Sequence, residues 1–134
     1  MKTEANAIID LTLEFSLEII DYSELLESNK KYILARQLLK AGTSIGANVH
    51  EAQSPESKPD FIHKMKIADK EARETEYWLI LCQKSRTYPG IDDLLVKLTV
   101  IKKVLSSIIG SAHKKPLGLK TILIGTFLKL IPGI

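Results

Sequence analysis

The stretch Gln37-Leu38-Leu39-Lys40-Ala41-Gly42-Thr43-Ser44-Ile45-Gly46-Ala47-Asn48-Val49-His50-Glu51-Ala52 decides the fold. Its apolar side chains Leu38, Ala41, Ile45, Val49 and Ala52 recur every three or four residues, the period of one helix face. The same stretch keeps two glycines, although each costs a helix interior about 1 kcal/mol against alanine. Gly42 and Gly46 are four residues apart and so share a face. That spacing predicts close approach of another backbone, either a packed helix or a ligand.

Working outward, this helix extends back to about Lys30 through Leu34 and Ile33, and three more helical segments flank it. In the first, Ile8, Leu11, Phe15, Ile19, Tyr22 and Leu26 form one stripe, while Leu13, Leu17 and Ile20 line a neighbouring face. One stripe suffices for a core, which leaves the other for a partner. After Ala52, Ser54-Pro55-Glu56-Ser57-Lys58-Pro59-Asp60 ends one helix and seeds the next, with Ser57 as the cap and Asp60 complementing the new dipole. The third helix carries the clearest repeat in the chain: Phe61, Met65, Ala68, Ala72, Thr75, Leu79, Cys82. Its alternating steps of four and three are those of bundle packing, which makes Cys82 a core residue rather than a nucleophile. Tyr88-Pro89-Gly90 forms the next turn and Asp92 and Asp93 open the fourth helix, where Leu94, Leu98, Ile101, Leu105 and Ile108 repeat the pattern.

Short breaks between long helices favour antiparallel neighbours, so the expected class is all-α, an up-down-up-down four-helix bundle over residues 1–115. Residues 116–134 form a separate apolar tail, punctuated by Pro116, Gly118 and Gly125. Its Leu119, Ile122, Leu123, Phe127 and Leu130 allow a short amphipathic helix for packing or partner docking; disorder is the competing reading. Lys120 and Lys129 interrupt the tail, so no membrane insertion is expected.

With 134 residues, 45% hydrophobic and 26% charged, the chain reads as one globular domain with a single core. A lone cysteine excludes an internal disulfide, and no signal sequence opens the chain; the expectation is a cytoplasmic protein. The net charge of +3 conceals a polarity. From Thr3 to Ser28 every formal charge is negative (Glu4, Asp10, Glu14, Glu18, Asp21, Glu24, Glu27), and after Asp93 every one is positive (Lys97, Lys102, Lys103, Lys114, Lys115, Lys120, Lys129). Either the first and last helices lie side by side and attract each other, or the complementarity acts between subunits or toward nucleic acid.

Two runs identify a family. The stretch Gln37 to Ala52, with Lys70-Glu71-Ala72-Arg73-Glu74-Thr75-Glu76-Tyr77-Trp78-Leu79, resembles the four-helix-bundle proteins encoded in intervening sequences of bacterial 23S ribosomal RNA genes. Those in turn are similar to the accessory variability determinant of diversity-generating retroelements. The resemblance covers about residues 5 to 113. It implies ring-like homopentamers with a central channel and, from the retroelement relatives, binding to RNA or DNA and to a reverse transcriptase. It also implies that Asn48, Glu51, Glu74 and Glu76 are recurrent polar positions, with Lys40 where the family commonly has arginine. These five residues are read as a polar network fixing helix register; a binding surface at the bundle end is the alternative. Glu74 and Glu76 lie about 200° apart on a helix, so only one can pair toward Lys40 or the Asn48 and Glu51 turn.

Catalytic chemistry finds no foothold. Di-metal bundles use paired Glu-x-x-His motifs, and the nearest approach is a single Asp60-x-x-His63 at a helix start. No Gly-rich phosphate loop, nucleophile elbow or metal-spaced cysteine pair occurs, so no enzyme, metal or cofactor is expected. The expected function is therefore non-enzymatic: a homo-oligomer binding structured nucleic acid, or a reverse-transcriptase-type partner, through a basic surface. Candidate phosphate contacts are Lys97, Lys102, Lys103, Lys114 and Lys115, with Arg73 and Arg86 secondary. Few aromatics accompany them, which argues for backbone charge over base stacking. The rival is a protein scaffold whose basic fourth helix is neutralised by the acidic first.

Overall fold

The computed structural model describes residues 3–114, which fold into four α-helices: α1 Glu4–Ser28, α2 Tyr32–Glu51, α3 Lys58–Lys84 and α4 Leu94–His113. Each helix packs on its neighbours in the chain and α1 also packs on α4, which closes an antiparallel four-helix bundle. In this arrangement α1 and α3 occupy opposite corners. The tail, 116–134, lies outside the described residues.

The core is built from the seams that the periodicity picks out. On α3, Phe61, Met65, Ala68, Ala72, Thr75, Leu79 and Cys82 are all buried. On α4, Leu94, Leu98, Ile101, Leu105 and Ile108 are buried and meet them from the neighbouring corner. On α1 the stripe of Ile8, Phe15, Ile19, Tyr22 and Leu26 is buried, whereas Leu13, Leu17 and Ile20 face outward. Thr75, in the middle of the α3 seam, satisfies its hydroxyl by donating to the Glu71 carbonyl at 2.7 Å.

The two glycines serve helix packing. A Cβ on Gly42 would sit 2.8 Å from Cγ2 and 2.9 Å from Cγ1 of Ile19, and one on Gly46 would sit 3.2 Å from the Ser16 hydroxyl and 3.3 Å from the Thr12 carbonyl. On the facing side of α1, Thr12 and Ser16 fold their hydroxyls back onto carbonyls of their own helix, at 2.7 and 2.8 Å. The Thr12 and Ser16 hydroxyls are therefore satisfied within α1 where the two backbones approach.

Caps fix the helix ends. Ser57 accepts the Asp60 N–H at 3.1 Å, as its position before Pro59 predicts, and Thr3 accepts the Asn6 N–H at 3.2 Å. Between α1 and α2 the chain turns at Asn29 and Lys30, and Lys30 takes a left-handed conformation with φ 63°. The Lys31 N–H reaches back to the Leu26 carbonyl at 2.8 Å and the Lys30 N–H to that of Glu27 at 2.9 Å, a Schellman ending. That turn moves the start of α2 from the expected Lys30 to Tyr32. At the same end of the bundle the Tyr22 hydroxyl donates to the Pro89 carbonyl at 2.7 Å, tying α1 to the α3–α4 connection.

Candidate nucleic-acid interface

Two of the five α4-side lysines are engaged within the bundle. Lys97 pairs with Glu18 across the α1–α4 seam and with Asp93 one turn back, at 3.5 Å. The bond to Glu18 holds the Lys97 ammonium above its ordinary range. Lys102 reaches the other way and pairs with Glu76 on α3 at 2.5 Å. The acidic first and basic fourth helices do lie side by side, and Lys97–Glu18 joins them. Lys103 and Lys114 are exposed and, among the described residues, have no ionic partner; Lys115 lies outside the described residues. Arg86 is exposed in the loop after α3. Arg73 is exposed on α3, its Nε donating to Asp69 at 3.1 Å.

The five polar positions expected to share one network disperse onto different seams. Glu51 pairs with Lys64 across α2 and α3 at 3.7 Å. Asn48 donates to the Ser44 carbonyl of its own helix at 2.9 Å. Glu76 points to α4 and Lys102, while Glu74, 200° around the same helix, is exposed. Lys40 lies on the α2–α3 side with Glu71, whose carboxyl is raised by burial and by the nearby Glu74 charge against the lowering influence of Lys70 and Lys40. Cross-helix pairs thus sit on separate seams, Glu18 with Lys97 between α1 and α4, Glu51 with Lys64 between α2 and α3, and Glu76 with Lys102 between α3 and α4.

A larger cationic feature lies on the outer face of α3. Lys66, Lys70, Arg73, Tyr77 and Lys84 are all exposed. Each stands five residues beyond a core position of the seam, Phe61, Met65, Ala68, Ala72 and Leu79 respectively, and so about 140° around the helix from it. Among the exposed charged side chains of α3, only Glu74 opposes these cations. The signal that locates them is the spacing of four, three and four from Lys66 to Tyr77, which copies the core seam. It is obscured in sequence because Asp69, Glu71, Glu74 and Glu76 are interleaved; the fold turns Asp69, Glu71 and Glu76 partly aside and leaves Glu74 exposed. On the opposite corner, the exposed charges of α1 (Glu14, Asp21, Glu24 and Glu27) are carboxylates surrounding the outward Leu13, Leu17 and Ile20.

Two clefts flank α1. One, of about 240 Å³, lies under the α3–α4 connection and is lined by Glu18, Asp21, Tyr22, Leu25 and residues 90–94. The other, of about 120 Å³, lies in the α1–α4 seam between Leu11, Phe15, Val100 and Ile101, with Glu14, Glu18 and Lys97 at its edge. Among the described residues no three His, Cys, Asp or Glu side chains are grouped to hold a metal ion, and no helix is long and apolar enough to cross a membrane.

Residues 4–107 match the family described as 23S rRNA-intervening sequence protein. The chain belongs to that family. A solved member-like structure agrees: a protein of unknown function from the S23 ribosomal protein family of Bacteroides thetaiotaomicron is 39% identical, with a TM-score of 0.77. The match covers 81% of this chain and 99% of that one. No curated protein matches the chain. The 23S rRNA-intervening sequence family thus accounts for the bundle, and the family match ends within α4, before His113.

Proposed function

We propose that this chain is a non-catalytic, self-assembling bundle that binds nucleic acid through surface cations. The observation that carries the reading is the apolar outer face of α1. Leu13 is 60% and Leu17 56% exposed, and with Ile20 they run along one line of the helix. On the adjoining α4, Val96 at 67% and Val100 at 43% extend the apolar surface. A patch of large apolar side chains rimmed by carboxylates is the usual signature of a protein contact in solution. Five subunits is the number that the family resemblance implies. Repetition around such an assembly multiplies phosphate contacts, which makes a modest charge of +3 per chain sufficient.

The native mass tests assembly: the wild-type chain is expected as a multiple of 15.0 kDa, and Leu13→Glu with Leu17→Glu as a single chain. A wild-type chain that stays monomeric at tens of micromolar overturns the reading. Titration of a labelled RNA at several salt concentrations tests binding, with log affinity falling linearly against log salt. A second reading, a scaffold with protein partners alone, is favoured by the engagement of Lys97 and Lys102 with Glu18 and Glu76. It predicts no RNA binding by an intact assembly.

A further inference from the structure

We propose that the outer face of α3 is a track for single-stranded nucleic acid, whose phosphates lie on Lys66, Lys70, Arg73 and Lys84 while one unpaired base stacks on Tyr77. This rests on the nucleic-acid reading above, moves the contact surface from α4 to α3, and names the strand state of the ligand.

The track has length, sign and a platform. From Lys66 to Lys84 it runs 18 residue steps along one continuous helix, about 27 Å at 1.5 Å per step. Arg36 and Lys40, both exposed on the adjoining α2, add positive charge alongside. The exposed carboxylates of α1 occupy the opposite corner, so the field of the bundle draws a polyanion to α3 and repels it from α1. The cations of α4 compare poorly: Lys97 and Lys102 already hold carboxylates. Arg73 donates Nε to Asp69 while its side chain stays 62% exposed, so its terminal nitrogens remain accessible to a phosphate.

Tyr77 distinguishes one kind of nucleic acid. It is 57% exposed, an unusual position for a large aromatic ring. Its ring stands edge-to-face with the half-buried Trp78, the centroids 5.3 Å apart and the planes inclined at 63°. The Trp78 side chain therefore braces an exposed aromatic plate one turn beyond Arg73. A duplex keeps its base faces covered, so this plate serves only an unpaired base. The step from Arg73 to Tyr77 is about 6 Å along the helix, which lets one nucleotide present its phosphate to the guanidinium and its base to the ring.

The test is fluorescence anisotropy with a short labelled oligouridine and with a hairpin duplex of matched charge, each titrated over a range of salt. The wild-type chain is expected to prefer the single strand by about tenfold or more. Lys66→Gln with Lys70→Gln and Arg73→Gln is expected to reduce the salt slope by about 2, the value for three lost contacts to a single strand. Tyr77→Ala is expected to weaken binding by about tenfold with the slope unchanged. Circular dichroism and native mass of each variant are read alongside. Equal affinity for duplex and single strand overturns the proposal, as does loss of the assembly in the α3 variants, which makes the stripe a subunit contact. Binding lost in Lys103→Gln with Lys114→Gln but kept in the α3 variants overturns this inference and leaves the broader reading standing. Absence of wild-type binding at low salt overturns both.

Discussion

Replacing Gly42 by alanine isolates what holds α1 and α2 together. Alanine is the better helix former by about 1 kcal/mol, so a glycine with open space beside it is expected to gain stability on substitution. Gly110 is such a site: a Cβ there meets nothing within 4 Å. Gly42 is the opposite case, since its Cβ would sit 2.8 and 2.9 Å from two carbons of Ile19. Ile19 is fully buried and β-branched, with one strongly preferred rotamer in a helix, so it has no free end to swing away. The overlap must be relieved by parting the helices or distorting the rotamer, at a cost of about 1 to 3 kcal/mol. Gly42→Ala is thus expected to lie about 1 to 3 kcal/mol below Gly110→Ala, which carries the same propensity gain without the clash. Gly46→Ala should fall between them, its contacts being 3.2 and 3.3 Å. Urea unfolding followed by circular dichroism measures all three at one protein concentration, because any self-association would add stability by mass action. A further sign change tests the cause. Ile19→Ala alone is expected to cost about 2 to 5 kcal/mol, and in that background Gly42→Ala should become favourable because the new methyl fills the hole. If Gly42→Ala stabilises the native background as much as Gly110→Ala does, the close approach is refuted.

Lys30→Gly is expected to raise stability by about 0.5 to 1 kcal/mol, since Lys30 holds the left-handed position of the α1 ending at φ 63°; denaturant midpoints check it, and an unchanged or lowered midpoint refutes the strain. Tyr22 makes an alkaline prediction. Burial, and then the neighbouring Cys82, push its phenol well above the ordinary range, so above about pH 10 the folded chain holds a proton that the unfolded chain releases. The Tyr22 contribution to stability is therefore full below about pH 10 and is lost as pH rises beyond it. Tyr22→Phe is expected to reduce the alkaline fall in stability, leaving the part due to the buried Cys82 thiol, while costing about 1 kcal/mol at neutral pH through the lost bond to Pro89. A Tyr22 phenolate seen by ultraviolet difference titration before unfolding would contradict this. Burial likewise raises the Cys82 thiol, so its modification by a thiol reagent at neutral pH is expected to follow the rate of global opening; rapid reaction in the native state would place the thiol outside the core.

Much of this bundle is legible because its core is periodic. The α3 seam from Phe61 to Cys82 is identical in the spacing and in the structure, as is the α4 seam from Leu94 to Ile108. Ser57 reads as a cap because proline follows two residues later, and the two glycines of α2 read as close approach because nothing else justifies their cost. The turn after α1 is harder. Ser28-Asn29-Lys30 contains neither glycine nor proline, and only the left-handed Lys30 shows where α1 stops. The pairing of charges is harder still, since it depends on which neighbour each face meets. Glu76 belongs to Lys102, and Glu51 to Lys64, only once α3 is set between α2 and α4. A lysine counted as available from sequence becomes a cross-helix partner in the bundle.

On the proposed function, the placement of charge and apolar surface keeps self-assembly and phosphate contact on different faces. The outward leucines of α1 and the valines of α4 flank one seam, and the cations of α3 lie across the core from α1. Subunit contact through the first surface would leave the second facing solvent in every copy, so assembly and phosphate contact need not compete. The carboxylates around Leu13 and Leu17 reinforce the separation. They discourage a polyanion from covering the apolar patch, while the patch itself offers little to a phosphate. Pairing of Lys97 with Glu18 and of Lys102 with Glu76 then has a consequence beyond register. It neutralises the two flanks of α4, which leaves Lys103 and Lys114 as its exposed lysines beside the longer cationic stripe on the α3 corner that an assembly built on α1 would turn outward.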